Sequence, residues 1–449
     1  PLFQKEKLAL KVQAPQLQPT YIPMPEQRSF ALAERISLDV IASKRAKFSL
    51  WHDGEMLEES SGETQQWKPD YTFSKAGEIA LQLRATAAGE TATQTLTFFV
   101  EPKVSIANLP AGVPAGGVSI DPATGKLVFT LVAPGKSSVA LLSSFNEYAA
   151  REAYVMNRSI DGTVWWIALD KSLFNGPTPY QFLVDGQLRV ADPYSRLVLD
   201  PAQDAFLPVN AALPIYPQGK TTGLLSVYAP GMQDYSWKNT NFKAPQVEDL
   251  IIYELLLRDF SASGDFQGLQ DSIAYLQKLG VNAVELMPIQ EFEGNSSWGY
   301  NPSFHFAVDK KYGSAAQLKA LVDKLHAAGI AVIVDVVFNH AFSQSPFFQL
   351  YMDGGAPASD NPWLNRMAMH PFNVGYDFNH ESPLTKQFVK DALSYWTTEF
   401  KLDGYRFDLS KGFSQRNVGT SDGDVSAWSA YDASRIALWK AYNQHIKSI

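Results

Sequence analysis

The chain has 449 residues, 45 % hydrophobic and 12 % aromatic, with a formal net charge of −8 and no cysteine. The acidic balance argues against nucleic acid or an anionic membrane as dominant partner, because no basic face is implied. Without cysteine there are no disulfides, no thiolate metal sites and no catalytic thiol. No apolar run reaches the roughly 18 residues of a membrane span. The start, "PLFQKEKLAL", lacks the basic-then-apolar order of a signal peptide, although a removed export signal would leave the same picture.

Residues 1–27 are partly proline-rich and read as an extended lead-in. Short alternating runs follow. In "EIALQLRA", Ile79, Leu81, Leu83 and Ala85 share one face, and "TLTFFV" comes after the turn "AAGE". This predicts a small immunoglobulin-like β-sandwich over 1–101. The Pro/Gly-rich stretch Asn108 to Gly117 marks a break. Further short strands ("KLVFTLVAP", "SSVALLSS", "TVWWIALD", "YQFLVDGQLRVADPYS") predict a second β-sandwich over 102–215. Alternation puts Trp165 and Trp166 on opposite faces of one strand, so one of them is expected in a core.

The pattern changes over 216–449. "LIIYELLLRDF" is a continuous apolar run, expected of a strand buried on both faces. A helix is predicted over "GLQDSIAYLQKLG", with Leu269, Ile273, Leu276 and Leu279 at helical spacing. The strand "VNAVELMPI" and the helix "SAAQLKALVDKLHAAG" come next, with Gly329 as a stop. "IAVIVDVVFNH" is a third strand. A long irregular insertion, 341–383, precedes the helix "LTKQFVKDALSYWTTEF" and a fourth strand, "LDGYRFDLS". A last helix is expected within 426–447. Strand–helix alternation predicts a parallel sheet, here four βα units where a closed (β/α)8 barrel has eight.

Polar residues gather at the C-terminal ends of these strands, the edge where parallel α/β folds bind ligands. The second strand leads to "EFEGNSSWGYNP". The third ends in Asp335, Asn339 and His340, and the fourth in Arg406 and Asp408. Arg406 and Asp408 are two apart and so project to the same side, although the strand reads as buried. A guanidinium there should keep the carboxylate ionised. An ionised, positioned carboxylate can attack an electrophilic sugar carbon. His340 can donate to a hydroxyl, and Trp298 and Tyr300 can stack on a sugar ring. Each residue alone has a structural reading: an ion pair, a hydrogen-bonded histidine, packing aromatics. No phosphate-binding glycine loop follows a strand, and the G-x-S-x-G elbow is absent.

On these motifs the sequence resembles the α-amylase family of glycoside hydrolases. "DVVFNH" (Asp335 to His340) and "GYRFDLSK" (Gly404 to Lys411) look like two of its conserved regions, and "GVNAVELMPI" like its second strand. "WGYNP" (Trp298 to Pro302) is of the type seen in pullulanase, isoamylase and branching-enzyme relatives, and "VGYDFNHES" is a weaker match. The second β region is similar to the starch-binding-like domain that precedes such barrels. The resemblance implies a retaining glycosidase acting on α-glucans. Its alternatives are an α-glucan transglycosylase or branching enzyme, and a non-catalytic glucan-binding protein. It implies Asp408 as nucleophile, Arg406 as the cation that aims it, and Asp335 and His340 lining the cleaved sugar's subsite. Tyr300 would stack on that sugar, with Trp298 beside it, and Lys411 would reach the next sugar. The histidine usual after that lysine is Gly412 here. No cofactor is required, and Ca2+ is left unassigned. An extracytoplasmic location is the expectation, by analogy.

The family's general acid is a Glu after strand five, and a further Asp follows strand seven. No Glu occurs after Glu399. The expectation is that these 449 residues carry part of a longer protein. The rival is a non-catalytic homologue. Half a barrel would leave its first and fourth strands as apolar edges, which favours the former.

Overall fold

The computed structural model describes residues 10–13, 29–207, 213–231 and 234–449. Most of the proline-rich lead-in lies outside them. The chain divides into two compact units. One joins Pro1–Pro110, Val132–Ile167 and Phe182–Arg189; the other joins Ala111–Leu131, Ala168–Gln181 and Val190–Ile449. The segment expected as a second sandwich, 102–215, thus contributes to both.

The first unit is built on long antiparallel strands, β1 (Asp39–His52), β2 (Gly77–Ala87) and β3 (Glu90–Val100). β2 and β3 pair along their whole length. Their turn has Ala88 at φ 48° and Gly89 at φ 82°. Two successive positive φ values match the right-handed strand twist, which is why "AAGE" closes a hairpin. Ile79, Leu81, Leu83 and Ala85 are buried together, as the alternation predicts. Trp165 is fully buried, its indole N–H on the Ala133 carbonyl at 3.0 Å, while Trp166 is half-buried.

The second unit contains antiparallel pairs, including Gly117–Ile120 with Leu127–Thr130 and Thr178–Tyr180 with Ser226–Tyr228. It then runs into a parallel sheet of β4 (Ile252–Leu255), β5 (Ala283–Leu286), β6 (Ala331–Val336) and β7 (Gly404–Phe407). The strands lie in sequential order, β4-β5-β6-β7, the winding order of a β/α barrel. Helix α1 (Ala315–Ala327) follows β5, α2 (Pro383–Phe400) precedes β7, and α3 (Ala433–Ser448) follows it. Ser314 and Gln317 form a reciprocal capping box at the start of α1, and Gly329 at φ 78° lies just past its end.

Four expectations are corrected. β4 is not buried on both faces: Ile251 and Ile252 are 57 % and 46 % exposed, because β4 ends the sheet and pairs with β5 alone. β7 is the other edge, so Arg406 is exposed where a buried strand was read. The helix over 268–280 breaks at Ser272, whose hydroxyl donates to the Gly268 carbonyl at 2.8 Å. Such back-bonding competes with the helix ladder. Leu269 and Leu276 stay buried, but Leu279 faces solvent. The 341–383 insertion is structured, with a short helix at Pro346–Leu350 and strand pairs at Met352–Asp353 with Ala356–Pro357 and His340–Ala341 with Tyr376–Asp377.

Candidate active site

Three polar side chains meet at the C-terminal ends of β6 and β7. Asp335 and Arg406 are register partners across the two parallel strands. The Arg406 guanidinium donates through one nitrogen, Nη1, to Asp335 Oδ2 at 2.8 Å and to Asp408 Oδ1 at 2.9 Å. Asp408 lies just past β7, its backbone N–H on the Val336 carbonyl at 3.0 Å. That bond extends the ladder by one residue and keeps Asp408 on the Arg406 side, as the two-residue spacing requires. The next residue, Leu409, sits at φ 45° and ends the strand.

Tyr300 completes the group: its hydroxyl donates to Asp335 Oδ2 at 2.7 Å. The residue reaches this edge on a hairpin the sequence did not reveal, Gln290–Phe292 against Pro302–Val308. Trp298, Gly299 and Tyr300 form its connection. Gly299 has φ 92°, and a β-carbon there would stand 2.5 Å from the Pro288 carbonyl oxygen. Only glycine accepts both constraints.

The electrostatics follow from burial. Asp335 is fully enclosed. Burial pushes its carboxyl up to about 6, against the Tyr300 hydroxyl and the Arg406 guanidinium, which favour the charged form. For Arg406, burial works to lower the pKa, but Asp335 and Asp408 outweigh it and hold the guanidinium above its usual range. Burial, then the Asp335 carboxylate, raises the Tyr300 phenol, which keeps it a donor. The other Asp335 oxygen, Oδ1, is buried with no hydrogen-bond partner.

His340 joins the group from beneath. It is fully buried, and its Nε2 donates to the Tyr300 carbonyl at 2.8 Å. Burial lowers its pKa, so the ring is neutral. Its Nε2 proton holds the Tyr300 backbone in place. Lys411 lies in the short 3-10 helix Ser410–Phe413 that follows Leu409. Its ammonium lies over the Trp428 ring, 5.6 Å from the centroid, and 3.2 Å from the Ser429 hydroxyl. Trp298 is 60 % exposed and free to meet a ligand.

Two acids escaped the reading of the sequence. Glu254 and Glu285 are register partners on β4 and β5. Burial raises the Glu285 carboxyl, Glu254 adds to the rise, and Arg406 opposes it. The signal was present: each is a lone acid inside an apolar strand, like the arginine that did draw notice. Among the described residues, no group of three or more histidine, aspartate or glutamate side chains is placed to hold a metal ion.

The comparisons with known proteins agree with this geometry. Residues 236–373 match the alpha amylase catalytic domain model. The malto-oligosyltrehalose trehalohydrolase of Saccharolobus solfataricus is 30 % identical over 283 residues, 63 % of this chain and 44 % of that protein. The pullulanase of Bacillus subtilis is 32 % identical over 205 residues, 36 % of this chain and 27 % of its own length. The chain therefore spans less than half of either relative. The Group B Streptococcus pullulanase SAP shares the fold, with TM-score 0.52 at 19 % identity over 99 % of this chain and 56 % of that one. Residues 236–373 thus carry part of an alpha-amylase-type catalytic domain, and the chain is similar to the pullulanases, isoamylases and trehalohydrolases of the alpha-amylase family of glycoside hydrolases.

Proposed function

We propose that this chain supplies the nucleophile half of a retaining glycosidase that acts on α-glucans. The observation that carries the reading is the single Arg406 nitrogen held between Asp335 and Asp408. The two carboxylates play different parts. Asp335 is enclosed and occupied by Tyr300 and Arg406, so it positions. Asp408 is only partly covered, with 16 % of its side chain exposed, so it is the one a substrate can reach. In retaining hydrolysis such a carboxylate attacks the anomeric carbon, the glycosidic oxygen leaves with a proton, and water later cleaves the glycosyl ester. Arg406 aims Asp408 through the hydrogen bond to its Oδ1. The proton donor is assigned to no residue of this chain.

The substrate class rests on the relatives' names, which include pullulanase, isoamylase and trehalohydrolase, and on a pullulanase related in fold that was studied with maltotetraose. Tyr300 and the exposed Trp298 offer flat faces for a glucose ring. The test is product analysis by the whole protein on amylose and pullulan. New reducing ends without new branch points support hydrolysis. New branch points would replace it with glycosyl transfer. Binding without turnover would leave a glucan-binding protein.

A further inference from the structure

Three buried polar side-chain atoms close to His340 lie near one another. They are Asn339 Oδ1, Asp377 Oδ1 and His370 Nε2, each buried and each without a hydrogen-bond partner. His370 Nε2 and Asp377 Oδ1 are 3.3 Å apart. A β-carbon on Gly412 would stand 1.8 Å from Asn339 Oδ1 and 2.5 Å from His370 Nε2, so both atoms border the space that glycine leaves open.

The roles of these atoms follow from their outer partners. His340 donates Nε2–H to the Tyr300 carbonyl, so in the neutral ring its Nδ1 accepts. Asn339 therefore turns its amide N–H toward that Nδ1, at 3.5 Å, and its oxygen inward. Asp377 Oδ2 accepts from Asn365 at 2.8 Å, which leaves Oδ1 inward. His370 Nδ1 lies 2.6 Å from the Pro371 carbonyl, which can only accept, so Nδ1 carries a proton. A neutral His370 would then point a lone pair at a carboxylate and an amide oxygen. Burial without a donor is costly for all three groups, and a proton on His370 Nε2 would supply one.

Calcium, the metal left open from the sequence, does not fit. It takes roughly six to eight oxygen ligands, and here there are two oxygens and an imidazole nitrogen. We propose that the missing donor is a second proton on His370: a buried imidazolium, paired with Asp377 and bordered by Asn339, takes the place a metal ion could otherwise fill. The ring is held flat against Trp428, with centroids 5.2 Å apart and planes 7° from parallel. The titratable and charged groups around it are Asp377, the neutral His340 ring and, over Trp428, Lys411. Burial works to lower the His370 pKa, and the Asp377 carboxylate and Pro371 carbonyl outweigh it, for a net rise.

The test uses the whole protein at neutral pH. Metal analysis, with melting temperatures in EDTA and in calcium chloride, should show no stoichiometric metal and no shift. Nitrogen-15 NMR of labelled histidines should show one buried ring with protons on both nitrogens, and this resonance should disappear in His370→Gln. A bound metal whose removal lowers the melting temperature would overturn the proposal. So would a His370 spectrum with one unprotonated nitrogen, which is read on the wild type even if the variant does not fold.

Discussion

Asp335 and Asp408 share one nitrogen of Arg406, at 2.8 and 2.9 Å, across the ends of two adjacent parallel strands. The bridge fixes the separation of two carboxylates that would otherwise repel. It also divides their tasks, since only Asp408 keeps an open side. A lysine could not reproduce it, because an ammonium lacks the planar guanidinium geometry.

Arg406→Lys is therefore expected to lower kcat by about 10²-fold or more while glucan binding stays measurable, since a misplaced nucleophile costs on that scale. Arg406→Ala should also cost about 1–3 kcal/mol of stability, less than a fully buried pair because the arginine is part-exposed. Steady-state kinetics and chemical denaturation of the two variants check this. Unchanged kcat in Arg406→Lys would contradict it.

Asp335 gives a pH signature. Its folded pKa, about 6, lies above its unfolded value. Its contribution is thus fully present below about pH 4 and is lost as pH rises through 6. Two units correspond to about 3 kcal/mol. The stability of the wild type relative to Asp335→Asn should fall by up to that amount between pH 4 and pH 7, as read by urea denaturation. A flat or rising difference would exclude the raised pKa.

Gly412→Ala should destabilise by about 1–3 kcal/mol, the usual cost of overpacking. Its methyl would meet Asn339 Oδ1 and His370 Nε2 well inside van der Waals contact. A melting temperature equal to the wild type would mean the neighbours can move aside.

Trp298→Ala separates packing from binding. The ring is exposed, so stability should change by less than about 0.5 kcal/mol. If it stacks on sugar, affinity for maltooligosaccharides should drop by about 0.5–1.5 kcal/mol, the worth of an aromatic face. Calorimetric titration reads the difference, and unaltered affinity removes Trp298 from the site.

Much of this was legible in the chain. The two-residue alternation of β2 and the strand–helix rhythm of β4 to β7 follow from local periodicity, which survives folding. The pairing of Arg406 with Asp408 is likewise a matter of spacing. What stayed hidden depended on distant partners. The Gln290–Phe292 hairpin was not foreseen, since its connection is rich in Asn, Ser and Gly. The bond from His340 to the Tyr300 carbonyl is one the sequence does not show. The position of Lys411 was also hidden: its strand ends in a left-handed Leu409 and leads into a short 3-10 helix, and its ammonium lies over Trp428. Ile251, Ile252 and Arg406 are exposed because β4 and β7 are the edges of the four-stranded sheet, as half a barrel would leave them.

The central claim is that Asp408 is the nucleophile. A fluorinated glucosyl donor that forms its enzyme ester quickly and releases it slowly should leave a glycosyl mass on the protein. Peptide mass spectrometry of the labelled whole protein is predicted to place it on Asp408, with no label in Asp408→Asn. A label on any other carboxylate, or undiminished labelling of the variant, would contradict the account.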